Sequence, residues 1–202
     1  MKGFKVCAAA AVLMTFAACS SSGGGSGGGG GGGQTTETPD QVSDLQAYQD
    51  LQDSLLERSN ARFDAIPTQG TAEYNGFAYL QIFSQPENAT FSGEARVNVD
   101  FETDAMTGRV RNLSGTDRFG EDVDVTGALQ LRGTVGAERP NQIGGTVRGT
   151  LDAGGQDLIV QGGDLDLDFR GTPVRGLLGG AQLPTVIYGG AGYSGLMGIA
   201  VE

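Results

Sequence analysis

The 202-residue chain contains no histidine and no tryptophan, only two cysteines, and 13 Lys+Arg against 24 Asp+Glu. Without histidine there is no Ser-His-Asp or Cys-His nucleophile, no imidazole base, no His-ligated zinc and no His axial haem ligand. The shortage of basic residues leaves a formal net charge of −11. Such a chain is a poor nucleic-acid binder, because neutralising phosphates supplies most of that affinity. Glycine is the opposite case: there are 36, far above the ~7% share of ordinary proteins. They lack the period of three that a collagen helix requires.

Residues 1–18 read as a lipoprotein signal peptide. Lys2 and Lys5 give a positive start, residues 6–16 form an apolar run of 11, and Phe16-Ala17-Ala18-Cys19 follows. A bilayer-spanning helix takes ~20 residues, so the run reads instead as a secretory segment with a small-residue cleavage site. Cysteine after Ala-Ala resembles the bacterial lipobox, with Phe16 where leucine is usual. The resemblance implies that Cys19 is acylated and becomes the first residue of the mature chain. Cleavage removes both lysines and Cys7, leaving 11 arginines against 24 acids, a net −13. Only Cys19 then remains, so no intrachain disulfide can form. One acyl chain anchors marginally and several anchor firmly; the lipobox implies several. Ser20 stands where aspartate would favour inner-membrane retention, which points to the outer membrane.

Residues 19–37 read as the lipidated cysteine and a tether. Residues 20–33 are four serines and ten glycines, with nothing apolar to offset chain ordering, so the expectation is a flexible coil. Carried to Glu37 it has 18 residues and a root-mean-square reach of ~23 Å. Residues 38–66 read as an amphipathic helix. Thr38-Pro39-Asp40-Gln41 has the capping-box pattern with proline in the first turn. Val42, Leu45, Tyr48, Leu51, Leu55, Leu56 and Phe63 then recur at spacings of three and four. Ile66-Pro67 ends the pattern, since the residue before proline avoids helical geometry. The stripe suits docking on the following domain, a coiled coil with a partner, or a stalk.

From residue 67 to 202 the period becomes two. Tyr74, Phe77, Tyr79 and Ile82 punctuate one segment; Ala95, Val97, Val99 and Phe101 alternate with polar residues in the next. Asp164, Asp166 and Asp168 alternate with Leu165, Leu167 and Phe169. Seven to nine strands separated by Gly, Asn and Pro turns are the mark of an antiparallel barrel or sandwich. Glycines inside the runs (Gly93, Gly127, Gly133, Gly149, Gly195, Gly198) suit the sharp coiling of a small closed barrel. The fold expected is therefore mainly β: a single antiparallel eight-stranded β-barrel preceded by one N-terminal amphipathic α-helix. A transmembrane barrel needs an apolar outer band with aromatic girdles, whereas here three aspartates share one strand face.

Several phrases resemble the β-barrel domain of transferrin-binding protein B and related surface lipoproteins of Gram-negative bacteria. Gly70-Thr71-Ala72-Glu73-Tyr74-Asn75-Gly76 resembles the opening strand. Gly93-Glu94-Ala95-Arg96-Val97-Asn98-Val99-Asp100-Phe101 resembles the second strand, and Thr107-Gly108-Arg109-Val110 the turn into the third. Tyr188-Gly189-Gly190 with Leu196-Met197-Gly198 is similar to the closing phrase, with Gly190 and Gly195 where proline and an acid are usual. The order of lipobox, tether and barrel also matches. The resemblance implies an exposed, non-enzymatic lipoprotein that binds a host protein, a haem or iron source, or another solute. An alternative is a structural or assembly lipoprotein of the envelope whose helix binds a partner protein.

Four groups of residues are candidates for chemistry. Gly190-Ala191-Gly192-Tyr193-Ser194-Gly195 matches G-x-G-x-x-G, but too little chain follows for a dinucleotide site. Asp164, Asp166 and Asp168, and Glu121, Asp122 and Asp124, are acidic sets; same-face carboxylates ~6.6 Å apart are too far apart to share one calcium ion. Arg109, Arg111 and Arg118 could hold an acidic group. Tyr188 and Tyr193, in a glycine-rich segment read as a loop over residues 183–193, are the residues chosen for ligand contact: phenolates ligate iron, and exposed aromatics anchor interfaces. No catalytic residue, metal site or resident cofactor is assigned; haem or iron enters only as a ligand. The membrane partner is reached through Cys19, so Cys19→Ala should move the protein from the membrane to the soluble fraction on cell fractionation. Unchanged membrane retention would refute the lipobox.

Overall fold

The computed structural model describes the backbone of residues 39–202 and side chains from residue 44, residue 138 excepted. The signal peptide, Cys19, the tether and Thr38 of the capping pattern lie outside the described residues. The elements are a helix α1 (Pro39–Leu56), a 3-10 turn (Phe63–Ala65) and nine strands. The strands are β1 (Thr71–Ile82), β2 (Ala89–Asp100), β3 (Ala105–Thr116), β4 (Asp122–Val135), β5 (Gln142–Ala153), β6 (Gln156–Val160), β7 (Asp164–Arg170), β8 (Gly176–Tyr188) and β9 (Ala191–Val201).

Each strand pairs antiparallel with its neighbours, and β1 pairs with β9, from Gly76 opposite Val201 to Ile82 opposite Gly195. The sheet is thus closed. Nine strands make eight staves because β6 and β7 are two halves of one. β6 lies between residues 149–153 of β5 and 186–188 of β8, and β7 between residues 142–146 of β5 and 176–182 of β8. The break falls at Gly162 and Gly163. A Cβ on Gly163 would stand 2.6 Å from Leu183 Cδ2, so the close approach of β8 leaves room for glycine alone. The architecture is the antiparallel eight-stranded barrel with one N-terminal helix that the alternation predicts.

Alternate side chains turn inward and form one continuous apolar core. The loops after β1, β3, β5 and β8 mark what we call the upper end; those after β2, β4 and β7 mark the lower. Phe91 and Tyr188 are buried towards the upper end. Phe101 and Phe169 meet at the lower end with ring centroids 6.0 Å apart. Full burial of such side chains stabilises by about 1.5–3 kcal/mol each.

One helix face lies on the outside of the barrel. Tyr48 and Leu55 are buried with Leu178 and Ala200, and Leu51, Phe77 and Tyr79 pack beside them. The Tyr48 and Tyr79 rings stack 6.0 Å apart. Tyr48 sits where a side chain on Gly198 would be: a Cβ there would lie 2.9 Å from Tyr48 Cζ. Docking on the barrel is therefore the use the stripe serves. The helix runs downward, with Leu55 against Gly176 and Arg58 bonded to Glu202 at 2.9 Å.

The helix stops at Leu56, ten residues short of the predicted limit at 66. Beyond it the backbone turns to the sheet: Ala61 N–H donates to the Phe169 carbonyl (2.7 Å) and Gly171 N–H to the Ser59 carbonyl (2.9 Å). Ser59 and Asn60 are weak helix formers, and these sheet bonds replace the helical ones. Leu56 and Phe63, counted in the stripe, are accordingly 55% and 72% exposed. A second difference concerns residues 183–193, which are not one loop. β8 continues to Tyr188, with a register shift between Leu183 and Val186, and β9 begins at Ala191. Gly179, Gly180 and Pro184 interrupt the alternation that would have disclosed the long strand.

Two outcomes follow from the helix seat. Gly198→Val should lower stability by about 1–3 kcal/mol, the usual cost of overpacking, and release α1, seen as early protease cleavage near Leu56. Burial, and secondarily the neighbouring Tyr79, push the Tyr48 hydroxyl up to about 12, against ~10 in an unfolded chain. Above pH ~10 the unfolded form gains by releasing its proton first, so Tyr48's contribution is complete below that pH and lost as pH rises towards 12. Melting curves taken from pH 9 to 12 should fall through this window, and Tyr48→Phe should shift the fall upward.

Candidate functional site

The upper loop between β3 and β4 is built around one buried carboxylate. Asp117 Oδ1 accepts from the Phe119 N–H (2.7 Å) and the Glu121 N–H (3.0 Å). The Asp117 N–H donates to the Glu121 carbonyl (2.9 Å), and the Gly120 N–H to the Asp117 carbonyl (3.1 Å). Hydrogen bonds to an ionised group are stronger than neutral ones, so the loop has one shape rather than many.

That shape aims Arg118 across the barrel mouth. Its Nη1 donates to the Tyr193 hydroxyl at 2.8 Å. The guanidinium carbon lies 5.6 Å from the Tyr188 ring centre and 4.8 Å from that of Phe119. Both distances are within the range of cation–π attraction, worth about 0.5–2 kcal/mol according to desolvation. Phe119 stays 55% exposed on the outer side of this cation. Tyr188 is 0% exposed, and its hydroxyl and Arg118 Nε are buried without a hydrogen-bond partner in the described structure.

The two predicted tyrosines do come together, with Arg118 between them. In this arrangement both serve the Arg118 guanidinium. Burial first, and Asp117 second, raise the Tyr188 hydroxyl above the ordinary tyrosine range, while Arg118 opposes them. Tyr193 accepts a hydrogen bond from Arg118, and the guanidinium lies within cation–π range of the Tyr188 ring. The pair anchors the Arg118 cation.

The other predicted groups separate. Arg109 and Arg111 stand on the outer face of β3, far along the chain fold from Arg118's loop, and Arg111 bonds Glu94 at 3.1 Å. Asp164, Asp166 and Asp168 face outward along β7 while Leu165, Leu167 and Phe169 are buried; Asp168 bonds Arg170 at 3.5 Å. Glu121, Asp122 and Asp124 are exposed. Among the described residues no group of three or more acids, cysteines or histidines stands so as to hold a metal ion. No described helix is long and apolar enough to cross a membrane.

Sequence reasoning missed one feature at the lower end. A groove of about 590 Å³ lies between the 3-10 turn and the loops after β2 and β4, with Phe63, Ile66, Phe101 and Val135 on its walls and Glu102 and Asp104 at its rim. Its parts come from three separated segments, so no local pattern could disclose it.

The fold defined by these elements is a closed antiparallel barrel with an external helix across its seam. The chain matches no protein-family model and no curated protein. Among solved structures it is similar to a point mutant of the vaccine antigen transferrin-binding protein B from Haemophilus parasuis Hp5, at 14% identity and a TM-score of 0.46, over 71% of this chain. The chain spans 28% of that protein's length.

The Asp117 loop can be tested directly. Asp117→Ala leaves two N–H groups without their acceptor, at a cost of about 1–3 kcal/mol each if they stay buried. Urea unfolding should show a loss of at least that order, with faster amide exchange at residues 119 and 121.

Proposed function

We propose that the chain is an outer-membrane-anchored lipoprotein, held by acylated Cys19 and displayed on the tether of residues 20–37, that binds a host protein at its upper end. The observation that supports this reading is the Arg118–Phe119 pair. Arginine and aromatic side chains dominate the energetics of protein interfaces, and here both are held in place before any partner arrives, by Asp117 and Tyr193. Preorganisation removes part of the entropy cost of binding. The continuous apolar core favours contact from outside over enclosure of a solute such as haem. The assembly alternative needs a free helix face, and Tyr48, Leu51 and Leu55 of that face already lie on the barrel.

The test is retention of serum proteins by the full-length protein displayed on cells. One or more should bind saturably, and Phe119→Ser with Arg118→Gln should weaken that binding at least tenfold, in line with interface residues worth 2 kcal/mol or more. Absence of saturable retention, or binding indifferent to both substitutions, would overturn the reading.

A further inference from the structure

The register of four strands gathers a cationic field on a protein whose overall charge is −11. On the outer face of β2–β5, Arg96 stands directly opposite Arg109, Arg109 opposite Gln130, and Gln130 opposite Arg148. Arg111 and Arg132 flank this row on β3 and β4, and all five arginines are exposed. Two have acidic neighbours at the margin: Arg96 pairs with Glu73, and Arg111 with Glu94. Among the described residues, Arg109, Arg132 and Arg148 have no carboxylate in ion-pair contact.

This arrangement works against the sheet that carries it. Like charges directly opposite on neighbouring strands are destabilising, and Arg96 and Arg109 are such a pair. Stability would be better served by the Thr or Gln found at neighbouring outward positions. A depression of about 310 Å³ lies over the Arg96–Arg109–Gln130 part of the row, with Gly108 in its lining. Asn98, Thr107, Gln130 and Thr146 occupy the spaces between the arginines. No aromatic or large aliphatic side chain stands among them.

We propose that the outer face of β2–β5 binds a linear polysaccharide bearing sulfate or carboxylate groups. The guanidinium fork matches the planar oxygens of a carboxylate and the oxygens of a sulfate with two parallel hydrogen bonds. From Arg96 to Arg148 the row crosses three strand gaps, about 14 Å at ~4.8 Å each, so a chain of sugars with repeated acidic groups meets several forks in turn. A protein partner would want an apolar or aromatic anchor, which this face lacks. A nucleic-acid duplex, with one charge per ~1.7 Å of axis, would carry phosphates over Asp164 and Asp166 on adjacent β7. α1 rests on β8, β9 and β1 and touches β2 at one margin of the field, and the field is separate from the Arg118–Phe119 end.

The experiment is surface plasmon resonance on the full-length protein in detergent. The probes are dextran sulfate and polygalacturonate, with polyglutamate and duplex DNA as comparators, at 0.15 M salt. Saturable binding to one or both polysaccharides is expected, weakening as salt rises to 0.5 M because screening shortens the reach of exposed charges. Arg109→Gln with Arg148→Gln should raise Kd at least tenfold. Arg62→Gln with Arg175→Gln, the same charge change elsewhere, should leave Kd within twofold. Neither double variant should lower the melting midpoint, and removal of the charge facing Arg96 should raise it. Should the first double variant melt early, Arg148→Gln alone carries the test with a threefold rise expected. Absence of polysaccharide binding, equal losses in both double variants, or tighter binding to polyglutamate or DNA would each overturn the proposal. The Phe119→Ser variant should bind the polysaccharide unchanged, which separates this result from that of the upper end.

Discussion

Pairing of β1 with β9 closes the sheet on itself, and the other features of the molecule depend on that seam. Closure removes the exposed strand edges that would otherwise invite aggregation, and it lets alternate residues of every stave share one core. The seam also has an outer cover. Phe77 and Tyr79 of β1, Ala200 of β9 and Leu178 of β8 form the apolar floor on which Tyr48, Leu51 and Leu55 rest. The smallest residue on that floor, Gly198, is as necessary as the largest, because Tyr48 lies where its side chain would be. Helix and barrel closure therefore support each other: opening one exposes apolar surface of the other.

The legible parts of the fold were those where burial imposes a local period. Asp164 to Phe169 alternates because one face of β7 is buried and the other wet, and the strand lies where that pattern places it. β8 was harder to see, because the closeness of β7 and β9 selects Gly179 and Gly180 and so erases the apolar signal over part of its length. The helix end was misread for a different reason. Phe63 continues the three-and-four spacing, but backbone bonds from Ser59 and Ala61 to the sheet are non-local and leave no period behind. The tyrosines of the upper end were legible as aromatic residues beside a turn. Their partner was not, since Arg118 lies 75 residues away from Tyr193 in sequence, and only strand register brings the two together.

The same register separates charge around the barrel. Outward arginines collect on β2 to β5, while β7 carries a row of aspartates one stave further on. Neither grouping is visible as a run, because outward residues alternate with buried ones and the facing residues of the basic row, Arg96, Arg109, Gln130 and Arg148, come from four separate strands. A chain that is acidic on average thus presents a basic face to one side. Its average charge describes how it behaves in solution, and the register describes what each side of it can touch.

The helix also decides how the molecule answers a pull on its N-terminal side. It is held to the barrel by side-chain packing at Tyr48, Leu51 and Leu55 and by the Arg58–Glu202 ion pair. The staves are held to one another by continuous rows of antiparallel backbone pairing. A force applied through α1 therefore loads the weaker attachment first, and the helix peels from the seam while the barrel stays shut. The seat of Tyr48 on Gly198 is in that sense a mechanical fuse for the closed sheet.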